Sequence, residues 1–211
     1  MSQKVIYIMG YGRSGTSIVD VYISSALGIL GLGEIKHLGN KDFSGDTCAC
    51  GSAVDHCSTW QRLLKSSSLV PMGVQESFVD SSKTTLDSTR YFIHFLLGYP
   101  DACYIHVYRP FIEVLASVWK RSNNSSNVNG ISRTLRVFRA TLNFWYANAL
   151  ALIPRMLGKE YIFLNFDEFV IDQSPLDGRL NLPADFVLER SHQVAGSRFL
   201  RASAEIKLGD G

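Results

Sequence analysis

The run Val5-Ile-Tyr-Ile-Met9 passes straight into Gly10-Tyr-Gly-Arg-Ser-Gly-Thr-Ser17. An apolar pattern of helical spacing follows, with Val19, Tyr22, Ile23 and Ala26 on one face and Gly28 as its stop. A β-prone run, a glycine-rich turn and a helix in that order leave few architectures open. The turn directs successive backbone N–H groups, together with the first turn of the helix, at a point where an anion can sit.

The glycine spacing is that of the Walker A loop, Gly-x-x-x-x-Gly followed by two positions. Thr16 stands where ATP-handling loops carry lysine, and Arg13 supplies a cation from inside the turn. The cradle is kept while the lysine is not, which points to a phosphate-bearing nucleotide other than ATP.

Further strands are expected at Ser77–Asp80, Tyr104–Tyr108 and Tyr161–Asn165, and helices at Leu86–Leu97, from Pro110 to near Arg121, and at Ser132–Met156. Gly28 to Gly51 reads as a long loop over the site, and Ser122 to Gly130 as a polar loop. Strand–helix alternation of this length implies an α/β fold with three layers: a mainly parallel central sheet, helices on both faces, and a P-loop NTPase-like topology. With 211 residues, 46% of them hydrophobic, residues 1–211 can form one domain.

A net charge of +2 is too mild for a nucleic-acid coat or a polybasic membrane anchor. No apolar run approaches the roughly 20 residues that span a bilayer, and the first strand begins too near Met1 to leave room for a leader. A cytoplasmic location is therefore expected. Three of the four cysteines crowd together as Cys48, Cys50 and Cys57, with His56 adjacent. Reduced thiols packing a loop, a redox-labile bridge and a structural metal are all open for them.

In an open parallel sheet, ligands sit at the carboxyl ends of the strands. There the sequence places Arg13-Ser-Gly-Thr-Ser17, Asp80-Ser-Ser-Lys83, Arg109 and Phe166-Asp-Glu168. Ser117 and Arg121 lie on one helical face with Arg109, so cation, hydroxyl and cation can grip a second phosphate.

These residues resemble the P-loop sulfotransferases that use 3′-phosphoadenosine 5′-phosphosulfate (PAPS). Arg13-Ser-Gly-Thr-Ser17 resembles their 5′-phosphosulfate loop, and Arg109-x7-Ser117 their 3′-phosphate motif. Arg121 is similar to the protein-tyrosine sulfotransferase branch. Val79-Asp-Ser-Ser-Lys83, Cys48-x-Cys-Gly…Cys57-x-x-Trp60 and His192-x-Val-Ala-Gly-Ser-Arg198 resemble a bacterial branch. Pro110 directly after Arg109, and Ser197 in place of asparagine, depart from the pattern, and the chain is short for the family.

The resemblance implies sulfuryl transfer from PAPS to a hydroxyl of a small-molecule acceptor by in-line displacement, with no metal required. Gly12, Arg13, Ser14, Gly15, Thr16 and Ser17 would hold the 5′-phosphosulfate; Arg109, Ser117, Arg121 and Arg198 would complete the donor site. Arg13 and Lys83 are the expected cations at the transferring group. Glu34, in Gly33-Glu34-Ile35, is the expected base, with His37 and Asp80 as alternatives. Phe43, Trp60, Trp119 and Trp145 are candidates to line an acceptor pocket, and most of them equally to be core, the commoner fate of tryptophan and phenylalanine. Two other readings stay open: a P-loop small-molecule kinase, for which Tyr161–Glu168 mimics a Walker B strand, and a catalytically inactive nucleotide-binding module.

Overall fold

A computed structural model of the chain describes residues 3–35, 48, 50–65, 76–123 and 130–188. The fold grows from β1 (Val5–Met9), whose five residues are all buried. Along it the side chains alternate between two cores. Val5, Tyr7 and Met9 join Phe78, Phe92, Phe95 and Tyr104 on one face, while Ile6 and Ile8 join Val19, Ile23, Ile105 and Phe169 on the other. A strand buried on both sides belongs in the middle of a parallel sheet.

That is where β1 lies. Its neighbours are β3 (Phe78–Asp80) and β4 (Cys103–Tyr108), beyond which stand β2 (Leu30–Gly31) and β5 (Tyr161–Asn165). The order is β2-β3-β1-β4-β5 with every pairing parallel. Ile6 registers with Val79 on one side and Cys103 on the other, and Tyr104 with Tyr161 at the β5 edge. All the strands therefore end at one edge.

Helices cover both faces, giving the expected three layers. Helix α1 (Thr16–Leu27) supplies Val19 and Ile23 to one core, and α7 (Phe166–Ile171) and α8 (Ser174–Leu180) add Phe169, Leu176 and Leu180. The opposite core takes Trp60 from α2 (Ser58–Lys65), Tyr91, Phe92 and Phe95 from α3 (Thr89–Gly98), and Leu150 and Ala151 from α5 (Gly130–Ala151). Helix α4 (Phe111–Asn123) packs against α5.

Several elements differ from their sequence expectations. The supposed loop after Gly28 contains β2, a strand of only two residues. The helix expected from Leu86 opens instead with a 3-10 turn at Leu86–Ser88, closed by reciprocal Thr85 and Ser88 hydrogen bonds, before α3 begins. The long helix expected over Ser132–Met156 is two helices. It stops at Ala151 and restarts as α6 (Ile153–Met156), with Pro154 in the first turn, where its missing N–H has no intrahelical partner to lose. Among the described residues no helix is long and apolar enough to cross a membrane.

Candidate functional site

Beyond Met9 the chain turns sharply and enters α1 through Gly15, which caps the helix with φ 88° and no side-chain capping bond. The Gly15 carbonyl accepts from Ile18 N at 2.9 Å and from Val19 N at 3.2 Å. Glycine is required here twice over. Its φ lies in the left-handed region, and a Cβ would fall 2.0 Å from the Phe166 ring. Arg13, at φ 81°, holds a left-handed conformation that costs a non-glycine residue about 1–2 kcal/mol. Ser14 N donates to Tyr11 O at 3.1 Å and closes the turn, which leads from the end of β1 into the start of α1, a geometry suited to an anion. Ser14 and Thr16 are buried; Arg13 is exposed.

Two loops meet beside this cradle. One follows β2 and carries Glu34; the other follows β3 and carries Lys83. Lys83 Nζ lies 2.5 Å from Glu34 Oε1. The lysine stem also runs along the glycine turn: a Cβ at Gly12 would stand 3.5 Å from its Cδ and Cε and 3.9 Å from Nζ. Thr84 N donates to the Gly10 carbonyl at 3.3 Å, joining the β3 loop to the turn. The β2 loop is held by extension of the ladder, with Leu32 N bonding Val79 O at 2.9 Å and Ser81 N bonding Gly33 O at 3.0 Å.

Beneath both loops sits Asp20 of α1, fully buried. Its Oδ2 accepts the Gly33 amide at 3.1 Å and the Ser81 hydroxyl at 2.6 Å. Asp20 thus fixes the backbone next to Glu34 and the segment leading to Lys83.

On the other side of β1, Arg109 leaves the end of β4. Its guanidinium stands 5.5 Å from the centre of the Phe166 ring, the ring that packs on Gly15. Nε reaches Glu113 Oε2 at 2.9 Å and Asp167 Oδ1 at 3.2 Å. Asp167 is in the first turn of α7, where Asn165 caps the helix by accepting its N–H at 3.2 Å.

No family model and no curated protein matches the chain. Solved structures do. A sulfotransferase domain from the curacin biosynthetic pathway aligns with a TM-score of 0.56 at 16% identity, covering 87% of this chain and 75% of that one. A sulfotransferase domain from the Synechococcus PCC 7002 olefin synthase aligns at 0.53 and 15% identity, with the same coverage. A sulfotransferase from Mycobacterium tuberculosis H37Rv aligns at 0.51 and 11% identity, covering 88% of this chain and 69% of that one. The fold is that of the P-loop sulfotransferases.

Within this sulfotransferase fold, the strand ends gather Gly12 to Ser17, Glu34, Lys83 and Arg109 at one edge. Ser117 is half-buried on α4, two turns beyond Arg109, and Arg121 lies a further turn along the same helix. Arg198, His37, Phe43 and the His192–Arg198 segment fall outside the described residues.

Asp80, the remaining alternative base, is fully buried; Ser82 N donates to its Oδ1 at 2.8 Å and Tyr91 OH to its Oδ2. Burial pushes its pKa up to about 6, opposed by the Tyr91 and Ser82 hydrogen bonds and reinforced by the nearby Glu34 charge. Enclosed in this way, it is less open to an acceptor than Glu34, whose side chain is 14% exposed. Trp60, expected as a pocket candidate, is core at 1% exposure, whereas Trp119 and Trp145 are exposed.

Asp20 and Tyr91 are not singled out by the sequence pattern, and Phe166 enters it only as the first residue of the segment after β5, without its packing role. For Asp20 a signal was present: a carboxylate directly after Val19 on the apolar face of α1 demands partners, because buried charge is costly when unpaired. Phe166 and Tyr91 gave none, since aromatic residues are ordinarily core.

Proposed function

We propose that this chain is a PAPS-dependent sulfotransferase acting on a hydroxyl acceptor. The observation that carries the reading is Lys83, which lies along Gly12 of the anion turn and pairs with Glu34 at 2.5 Å. A cation beside the donor's reacting end and a carboxylate beside that cation are what in-line sulfuryl transfer needs.

In this reading the turn from Gly12 to Ser17 holds the 5′-phosphosulfate, and Arg109, Ser117, Arg121 and Arg198 hold the 3′-phosphate and its surroundings. The acceptor oxygen forms a bond to sulfur while the sulfur–oxygen bond to the 5′-phosphate breaks. Glu34 takes the hydroxyl proton. Lys83 and Arg13 stabilise the charge that grows on the bridging oxygen and on the transferring group. The products are the sulfate ester and adenosine 3′,5′-bisphosphate. As in phosphoryl transfer, positioning and charge stabilisation supply most of the rate.

The kinase alternative would assign Asp167 to a metal. Its ion pair with Arg109 Nε at 3.2 Å favours the sulfuryl reading. Calorimetry with adenosine 3′,5′-bisphosphate against Mg-ATP tests the choice, with preferential binding of the bisphosphate expected. Tighter Mg-ATP binding would overturn it. Transfer of labelled sulfate from PAPS to any hydroxyl acceptor would dispose of an inactive binding module.

A further inference from the structure

Cys48, Cys50 and Cys57 take no part in the site described above, yet their three sulfurs all lie within 4.8 Å of one another. Cys50 Sγ and Cys57 Sγ are 3.8 Å apart. A tetrahedral zinc ion with Zn–S bonds of about 2.3 Å spaces its sulfurs about 3.8 Å apart. A disulfide needs about 2.05 Å and would use only two of the three sulfurs. We propose that these three cysteines bind one zinc ion as thiolates, with a water in the fourth position on the Cys50 side.

The local backbone is built for this. Cys48 N donates to Ser52 O at 2.8 Å and Gly51 N to Cys48 O at 2.9 Å, hydrogen bonds that hold the backbone on either side of Cys50 to Cys48. Cys57 N then donates to Ala53 O at 2.9 Å. The Cys57 carbonyl accepts from Gln61 N at 2.8 Å, so Cys57 stands at the N-terminus of the eight-residue α2. Cys48 and Cys57 are buried, whereas Cys50 is exposed, which gives the ion one side of entry. His56, adjacent in sequence, is not a fourth ligand: its side chain is 80% exposed and faces Asp55 at 4.0 Å.

Binding replaces three S–H protons by one Zn²⁺, releasing three protons and leaving a site of net charge −1. The role is structural. Cys48 and Cys57 share a core cluster with Trp60 of α2 and with Leu32 and Ile35, which flank Gly33 and Glu34. The ion therefore ties α2 to the loop that carries Glu34.

The test uses the full-length reduced protein, prepared without chelators. Native mass spectrometry with equimolar zinc should show one bound ion. Cobalt(II) titration should give the sulfur-to-metal charge-transfer absorption of a multi-thiolate site. Cys50→Ser, at an exposed position that leaves the core intact, should weaken zinc by more than the roughly 10–100-fold that loss of an outer-shell partner costs. Cys103→Ala should leave zinc binding unchanged. Zinc should also shield Cys48, Cys50 and Cys57 from alkylation. Absence of zinc in the native spectra, equal affinity in Cys50→Ser, or alkylation insensitive to zinc would each overturn the proposal.

Discussion

Asp20 Oδ2 accepts the Ser81 hydroxyl at 2.6 Å, and the same oxygen takes the Gly33 amide at 3.1 Å. One buried carboxylate therefore sets the spacing between the loops that end β2 and β3, and with it the approach of Glu34 to Lys83. Removing it leaves two buried donors without that acceptor, at about 1–3 kcal/mol each. Asp20→Ala should be destabilised by a few kcal/mol in urea unfolding. Asp20→Asn keeps the volume and should fold, with kcat falling while bisphosphate affinity holds. Unchanged kcat in a folded Asp20→Asn protein would remove the positioning role.

Glu34→Gln should lower transfer by about 10²–10⁴-fold, the usual contribution of a positioned base. Adenosine 3′,5′-bisphosphate should bind as tightly or more tightly, because a carboxylate next to Lys83 has been neutralised. Single-turnover assays with calorimetry check both halves. Near-normal transfer would reassign the base.

Gly15 and Gly28 both have positive φ, at 88° and 62°. A Cβ at Gly15 meets the Phe166 ring, whereas at Gly28 it meets nothing within 4 Å. Gly28→Ala should therefore cost only the backbone strain, about 1 kcal/mol, and keep bisphosphate binding. Gly15→Ala must displace the turn or the ring, and should lose that binding. Equal behaviour of the two variants in thermal melts and calorimetry would contradict the packing seen at Phe166.

Arg109→Ala should weaken adenosine 3′,5′-bisphosphate by about 10–100-fold, the range for lost hydrogen bonds to a charged group. Binding of adenosine 5′-phosphate should change far less. Loss of both ligands to the same extent would place Arg109 outside the 3′-phosphate site.

Asp80 gives a pH signature. Its pKa in the folded chain is raised to about 6. Between the ordinary carboxylate range and pH 6 the folded protein holds a proton that the unfolded chain has released. This contribution to stability is full at low pH and is lost as pH rises through about 6. Comparing the urea stability of the parent and Asp80→Asn across that window should show the difference moving in the variant's favour as pH rises. A flat difference would rule out the raised pKa.

The parts of the fold that sequence makes legible are those encoded locally. β1, the glycine turn and α1 form one contiguous signal, and the burial of β4 on both faces follows from its composition. Glu34 was readable only by resemblance. What brings it to the edge is β2, whose two residues carry no periodicity and form a strand only because Phe78 and Val79 pair with them. The Arg109–Asp167 pair depends on the register of β4 with β5, which no local pattern specifies. Helix α2 has no long apolar run in its sequence to signal it, and among its described side chains Trp60 joins the core beside Cys48 and Cys57.

The strand order has a further consequence. β1 stands mid-sheet, with Glu34 and Lys83 on the β2–β3 flank and Arg109 on the β4–β5 flank. On the proposed function, a donor that touches both flanks must lie crosswise over the strand tips, so the sheet edge acts as a ruler for its length. A shortened donor could still reach the glycine turn but would lose its far tether. The penalty would appear as imprecise aim at the sulfur atom, with the chemistry itself intact.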